Sequence, residues 1–220
     1  MSAVNTNYLP SDTKRIFEVL CKTPFIKSFV LVGGTALSLQ IGHRLSEDLD
    51  FVYDGETLPV SNIKRNISKL FPRHKLIRQD NGYQLDFVIE NTKLTFFSTG
   101  AVTVPFHVKD YSFPLENIQI ATVEAIGVLK FGALSQRNTL RDYYDLYCIT
   151  KDHILLLDLI TKTKQLLSNI SPITFTETLI YTKDIPENTL GEHLQPKYKV
   201  TKEEITDYFI AELQKIVDKI

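Results

Sequence analysis

Phe29-Val30-Leu31-Val32-Gly33-Gly34-Thr35-Ala36-Leu37, with Arg44-Leu45-Ser46-Glu47-Asp48-Leu49-Asp50-Phe51 shortly after it, is the stretch on which the fold turns. The apolar run Phe29 to Val32 reads as a buried strand, the two glycines break it, and Thr35 to Ile41 reads as a short helix. A strand that turns so sharply into a helix leaves backbone N–H groups without helix partners, and the missing side chains let an anion approach them. Gly33 and Gly34 are therefore a candidate phosphate cradle. Further on, alternation from Asp48 to Tyr53 sends Leu49 and Phe51 to one face of a strand and Asp48 and Asp50 to the other. Their Cα atoms are then roughly 6.5 Å apart at strand rise, so both carboxylates can converge on one divalent ion. Hard oxygen donors suit Mg²⁺ carrying nucleotide phosphates better than Zn²⁺. A Gly-Gly turn and an Asp-X-Asp edge are each common alone. The order strand, Gly-Gly, helix, Arg-X-Ser-X-Asp-X-Asp is what points to a nucleotide site.

The rest of the chain bounds this reading. Its 220 residues make one domain or two small ones with a sizeable core. With 43% hydrophobic and 23% charged residues it has an ordinary globular composition, which argues against disorder. A net charge of -1 argues against a nucleic-acid binder that is basic all over, while leaving room for a local patch. Cys21 and Cys148 are far apart and lack metal-ligand spacing, and no apolar signal segment opens the chain. They read as reduced thiols of a cytoplasmic protein. No apolar run approaches the ~18 residues of a membrane span.

Helices are expected from Thr13 to about Lys22, capped by Ser11-Asp12, and over Pro59 to Phe71, where Ile63 and Ile67 lie on one face. Lys64, Arg65, Lys69, Arg73, Lys75 and Arg78 follow one another with no Asp or Glu between Thr57 and Gln79. They read either as a solvated face or as a seat for an RNA backbone. His74 to Gln79 and Tyr83 to Glu90 read as a hairpin around Asn81-Gly82, with a further strand from Thr92 to Phe97, giving a mixed sheet. Val102 to Pro114 reads as a connector between two lobes, and from Thr122 the pattern is helical. Lys130 lies within that apolar helix, where a lysine can snorkel to water. Leu140 or Arg141 begins a helix on which Asp142 and Asp145 share a face, as ion-pair partners for Arg137 or Arg141 or as part of a cleft. Ile154 to Leu167 reads as a core helix, Ser171 to Thr182 fits strand or helix equally, Asp184 to Lys199 is a loop, and a closing helix starts at Thr201.

The stretch from Val32 to Leu37, with Arg44 to Phe51, resembles the first motif of the AbiEii-type nucleotidyltransferases. These are a branch of the polymerase-beta-like superfamily that includes abortive-infection and toxin-antitoxin toxins. The resemblance continues through Ile120 to Ala125, Lys130, Arg137, Arg141-Asp142 and Asp145-Leu146-Tyr147, and spans roughly residues 25 to 150. It implies an α+β fold: a nucleotidyltransferase lobe with a mixed sheet over residues 1–112, and a helical lobe over 113–220 that completes the active cleft. It implies that Gly33, Gly34, Thr35, Arg44, Ser46, Lys130 and Arg137 bind the nucleotide and that Asp48 and Asp50 hold the metal. Lys130 then meets phosphate, and one of Asp142 and Asp145 completes the site. The wider superfamily draws a third carboxylate from a later strand. Here Thr95 and Ser98 occupy that strand, and Asp86 lies one strand earlier, either metal-proximal or simply hairpin-facing.

The expected activity is Mg²⁺-dependent transfer of a nucleoside monophosphate from an NTP to an acceptor hydroxyl, with Mn²⁺ as an alternative ion. The resemblance suggests RNA as acceptor, a tRNA 3′ end above all, and a toxin with a cognate antitoxin partner. Two alternatives stand beside it: a protein hydroxyl as acceptor, and a catalytically weak or inactive nucleotide- and partner-binding module. A metal-dependent phosphohydrolase fits poorly, because His43, His74, His107, His153 and His193 are scattered without ligand spacing.

Overall fold

The computed structural model describes residues 4–80, 82–99, 106–134, 137, 139–167 and 172–217, with the side chains of 172–175 and 217 left out. Expectations that fall on Asn81, residues 102–105, Gln136, Asn138 and Ser171 lie outside the described residues. Two compact units divide the chain, Met1–Ala125 and Ile126–Ile220.

The first unit is built on one sheet of seven strands: β1 (Phe29–Val32), β2 (Leu49–Tyr53), β3 (Lys75–Asp80), β4 (Gln84–Ile89), β5 (Thr92–Ser98), β6 (Ser112–Leu115) and β7 (Ile118–Ala121). Their order is β3-β4-β5-β2-β1-β7-β6. β1 runs antiparallel to β2 and parallel to β7, and β2 runs parallel to β5, so the sheet is mixed. The β6–β7 hairpin falls on residues that the sequence reading gives to the connector and the helical lobe. Each strand is four residues long and Pro114 interrupts the alternation, so the pattern is too short to register as strand. β7 nonetheless pairs with β1 through Val30 and Leu31, which carries the first unit beyond residue 112.

One sheet face is apolar because register and alternation agree on it. Phe29, Leu31, Phe51, Leu85, Phe87 and Phe96 are buried there, and the Phe96 ring lies 5.1 Å from Phe29, 5.6 Å from Phe51 and 6.3 Å from Phe87. Fully burying a side chain of this kind contributes ~1.5–3 kcal/mol. Helices α1 (Ser11–Cys21), α2 (Gly33–Ile41) and α3 (Val60–Leu70) add Ile16, Leu37, Ile63 and Ile67 to the buried set. The other face carries Asp50, Thr95, Asp86, Lys93, Gln84 and Arg78 on its β2-to-β3 side, and is polar there.

The second unit is helical: most of α4 (Val123–Leu134), then α5 (Leu140–Asp152), α6 (Leu156–Leu166), α7 (Pro172–Ile180) and α8 (Lys202–Val217). α5 is buried on nearly all sides, with Tyr143, Leu146, Ile149 and Cys148 enclosed, and the Tyr143 hydroxyl donates to the Thr178 carbonyl of α7. The ambiguous segment after residue 171 is therefore a helix, stabilised by its neighbours rather than by its Thr and Ile propensities. α6 starts later than expected, and Leu155 and Leu157 are 68% and 43% exposed rather than core, because the apolar run is wider than the stripe one helix can bury. Among the described residues no helix is long and apolar enough to cross a membrane.

Candidate active site

The turn from β1 into α2 has a left-handed first residue: Gly33 has φ 71°. No side chain caps this helix, and no acidic residue sits in its first turn. Space at both glycines is already assigned. A Cβ on Gly33 would stand 2.9 Å from Asp50 Oδ2, and one on Gly34 would stand 2.5 Å from Arg44 Nη2 and 3.1 Å from Ser46 Oγ. The glycines thus let the Asp50 carboxylate and the Arg44 guanidinium pack against the backbone of the turn. Arg44 is only 4% exposed and donates from Nη1 to the Leu45 carbonyl at 2.9 Å.

Thr35 is buried, and its hydroxyl bonds the Ser46 hydroxyl at 2.8 Å and donates to the Asp48 carbonyl. It ties α2 to the chain just ahead of β2 and so fixes Asp48 where the strand is about to begin. Asp48 and Asp50 are each half-buried. Gly33, Gly34, Thr35, Arg44, Ser46, Asp48 and Asp50 therefore come together within the first unit.

Register adds what alternation alone does not. Asp50 pairs with Thr95, and Thr95 pairs with Asp86, so an acid, a hydroxyl and an acid lie side by side across β2, β5 and β4. Ser98 falls on the apolar face and donates to the Glu56 carbonyl at 3.1 Å. Asp86 is 3% exposed, accepts from Gln84 Nε2 at 2.8 Å and meets Lys93 Nζ at 3.2 Å. Part of this row can be found from sequence: the two-residue corner Glu90-Asn91 pairs Ile89 with Thr92 and so sets Asp86 opposite Thr95. The pairing of Thr95 with Asp50 joins strands distant in sequence and leaves no such mark.

The second unit gathers Lys130, Arg137, Asp142 and Asp145. Lys130 Nζ lies 2.6 Å from Asp142 Oδ1 and 2.5 Å from Asp145 Oδ2, and its side chain is 8% exposed. It does not snorkel; the two aspartates hold it inside. Arg137 Nε reaches Asp142 Oδ2 at 3.0 Å, and Thr139, the N-cap of α5, donates to Asp142 Oδ2 at 2.7 Å while accepting from the Asp142 N–H. Burial pushes the Asp142 carboxyl up, but Lys130 and then Arg137 outweigh it and hold the group below its ordinary value. Two cations against two carboxylates leave the cluster neutral.

Other candidate chemistry falls away. Burial pushes the thiols of Cys21 and Cys148 up to about 12, so neither is a nucleophile near neutral pH. Among the described residues no group of three or more His, Cys, Asp or Glu side chains is arranged to hold a metal. Asp48 and Asp50 are the pair that would supply carboxylate donors to a divalent ion. That set fits Mg²⁺, which takes one or two carboxylates and fills the rest of its shell with water and substrate phosphate. The buried Thr95 hydroxyl beside Asp50 has no hydrogen-bond partner, as befits a polar atom next to an absent ligand or water.

The basic stretch is divided by the sheet. Lys64 donates to Gln79, whose strand partner is the buried Leu85, which puts α3 with Lys64, Arg65 and Lys69 on the apolar-face side. Lys75 and Arg78 belong to the polar face, opposite Val88 and Asp86. Arg73 is exposed in the turn between α3 and β3.

The chain is similar to known proteins in sequence and in fold. An uncharacterized protein of Aquifex aeolicus (strain VF5) is 27% identical over 96% of this chain and 98% of its own length. The crystal structure of JHP933 from Helicobacter pylori has a similar fold, with TM-score 0.58 and 20% identity over 98% of this chain and 94% of that one. The antibiotic-resistance factor ANT(2″)-Ia shares it with TM-score 0.52 and 13% identity over 71% of this chain and 92% of that one. Residues 15–211 match the family described as nucleotidyl transferase AbiEii toxin of type IV toxin-antitoxin systems. With that match covering most of its length, and with a glycine turn and aspartate pair on adjoining strands, the chain belongs to the AbiEii nucleotidyltransferase toxin family.

Proposed function

We propose that the protein transfers a nucleoside monophosphate from an NTP to a hydroxyl of an RNA acceptor, in a Mg²⁺-dependent reaction. The observation that carries this reading is the Asp50 carboxylate packed over Gly33, which joins the metal-binding strand to the uncapped turn of α2. Asp48 and Asp50 would hold the ion, which when bound neutralises phosphate charge and favours in-line displacement. N–H groups of the Gly33-Gly34 turn receive phosphate oxygens, and Arg44, packed on the same turn, supplies positive charge to them. Ser46 and Thr35 tie the first turn of α2 to the segment that leads into β2. The acceptor hydroxyl gives up its proton to solvent as its oxygen bonds the α-phosphorus, the bond from that phosphorus to the oxygen bridging to the β-phosphate breaks, and pyrophosphate leaves with the electron pair. In the helical unit Asp142 and Asp145 hold the Lys130 ammonium, and the family resemblance gives that lysine a phosphate-binding role.

Family membership supports a toxin role and makes an antitoxin its natural counterpart. RNA as acceptor rests on the resemblance and on the cations of the polar face. The test is to incubate the protein with Mg²⁺, total RNA and each NTP, labelled in turn at the α- and the γ-phosphate. Transfer of the α label alone to an RNA band is expected. Label on polypeptide would replace RNA by a protein acceptor, and transfer of the γ label would make the protein a kinase.

A further inference from the structure

Three cations stand on the polar face, from β5 next to the aspartate strand out to β3 at the sheet edge, and Lys93 on β5 is held in a prepared position. Lys93 is one step from Leu94, the partner of Leu49, so it flanks the strand position from which Asp48 projects. Its ammonium is held 3.2 Å from Asp86 Oδ2, and the other oxygen of that carboxylate is occupied by Gln84. Asp86 is almost fully buried, whereas the Lys93 side chain stays 42% exposed. Taking a carboxylate out of water is costly unless it is paired, and here the pairing fixes a long surface side chain that would otherwise lose its rotamer freedom on meeting a ligand. Arg78 lies opposite Asp86 on β3 and ion-pairs with Asp80, both side chains about half exposed. Such a surface pair is worth little and readily exchanges its carboxylate for a phosphate. Lys75, exposed on the same strand face, is the third cation. Lys93 on β5 and Lys75 on β3 share a row through Val88, two strand spacings or roughly 10 Å apart, and Arg78 lies in the next row on that face, through Asp86 and Thr95, so the three cations form a patch that phosphates along an extended strand can bridge.

We propose that Lys93, Arg78 and Lys75 form a track for the phosphate backbone of a single-stranded RNA acceptor leading to Asp48 and Asp50, with Asp86 as the residue that positions Lys93. The track rests on the RNA-transferase reading and commits to nucleic acid rather than to an acidic protein, because its cations share one sheet face with the aspartate pair to which an RNA hydroxyl would have to be led. Lys64 and Lys69, on the other side of the sheet, take no part.

The test uses the full chain and a short fluorescein-labelled single-stranded RNA, with binding followed by fluorescence anisotropy over a salt series. Lys93→Ala and Arg78→Ala should each weaken binding severalfold at low salt and reduce the slope of log affinity against log salt by about 0.7. Lys93→Arg should restore most of the affinity. Asp86→Asn makes the face more positive yet should weaken binding, because Lys93 is no longer held; tighter binding would overturn its positioning role. Lys64→Ala and Lys69→Ala should leave the slope unchanged, and losses from them equal to that of Lys93→Ala would overturn the track. Failure of the wild-type chain to bind RNA, while it still transfers label to polypeptide, would end both the track and the RNA reading and leave the transferase standing. Melting temperatures of all variants separate these results from misfolding.

Discussion

Gly33 carries two constraints at once, a left-handed backbone and a carboxylate 2.9 Å from where a Cβ would stand. Gly33→Ala should therefore cost ~1–3 kcal/mol in stability through backbone strain. It should also push Asp50 off its position and slow transfer by at least about tenfold, the equivalent of ~1.4 kcal/mol at the transition state. A melting curve and a single-turnover rate on the same sample measure the two effects separately. Asp142 provides a second test at this scale. Lys130 and Arg137 hold its folded-state carboxyl below the ordinary value in spite of burial. The stabilisation is thus complete above the unfolded-state value near ~3.9 and is lost as pH falls through the lower folded value. Urea unfolding from about pH 5 to about pH 2 should show that loss, and Asp142→Asn should reduce the part due to this group.

At the scale of elements, the helical unit depends on the cluster joining α4 and α5. Lys130→Ala leaves Asp142 and Asp145 facing one another without their ammonium, which should cost ~3–5 kcal/mol as well as impairing transfer. Lys130→Arg keeps the charge, so a rate defect without a stability defect in that variant would separate the two roles. Thr139→Ala removes the N-cap of α5 and should cost ~1 kcal/mol, measured by chemical denaturation. These same elements show what the sequence makes legible. β1, β2 and the β3–β4 hairpin are marked by short-range signals, a glycine turn and strict alternation, and the aspartate pair is read directly from them. α7 has no such mark, because its Thr and Ile residues suit a strand and only its helical neighbours decide. β6 and β7 are too short for periodicity to show. The row from Asp50 through Thr95 to Asp86, and the lysine clamp on Asp86, depend on strand register between distant segments, which is a property of the folded sheet.

At the scale of the whole molecule, the chain has a sheet unit bearing the aspartate pair and a helical unit bearing the Lys130 cluster. If the proposed transfer is what harms a cell, toxicity should be lost together with transfer when Asp48 is replaced. The most direct measurement is transfer of α-labelled nucleotide to RNA by the wild-type chain and by Asp48→Ala, at matched concentration and with melting temperatures recorded. Asp48 is half-buried and lies outside the apolar core, so the variant should melt close to the wild type while losing transfer by at least about a hundredfold, ~2.7 kcal/mol at the transition state. Wild-type transfer by a folded Asp48→Ala protein would contradict the assignment of Asp48 and Asp50 as the reacting centre.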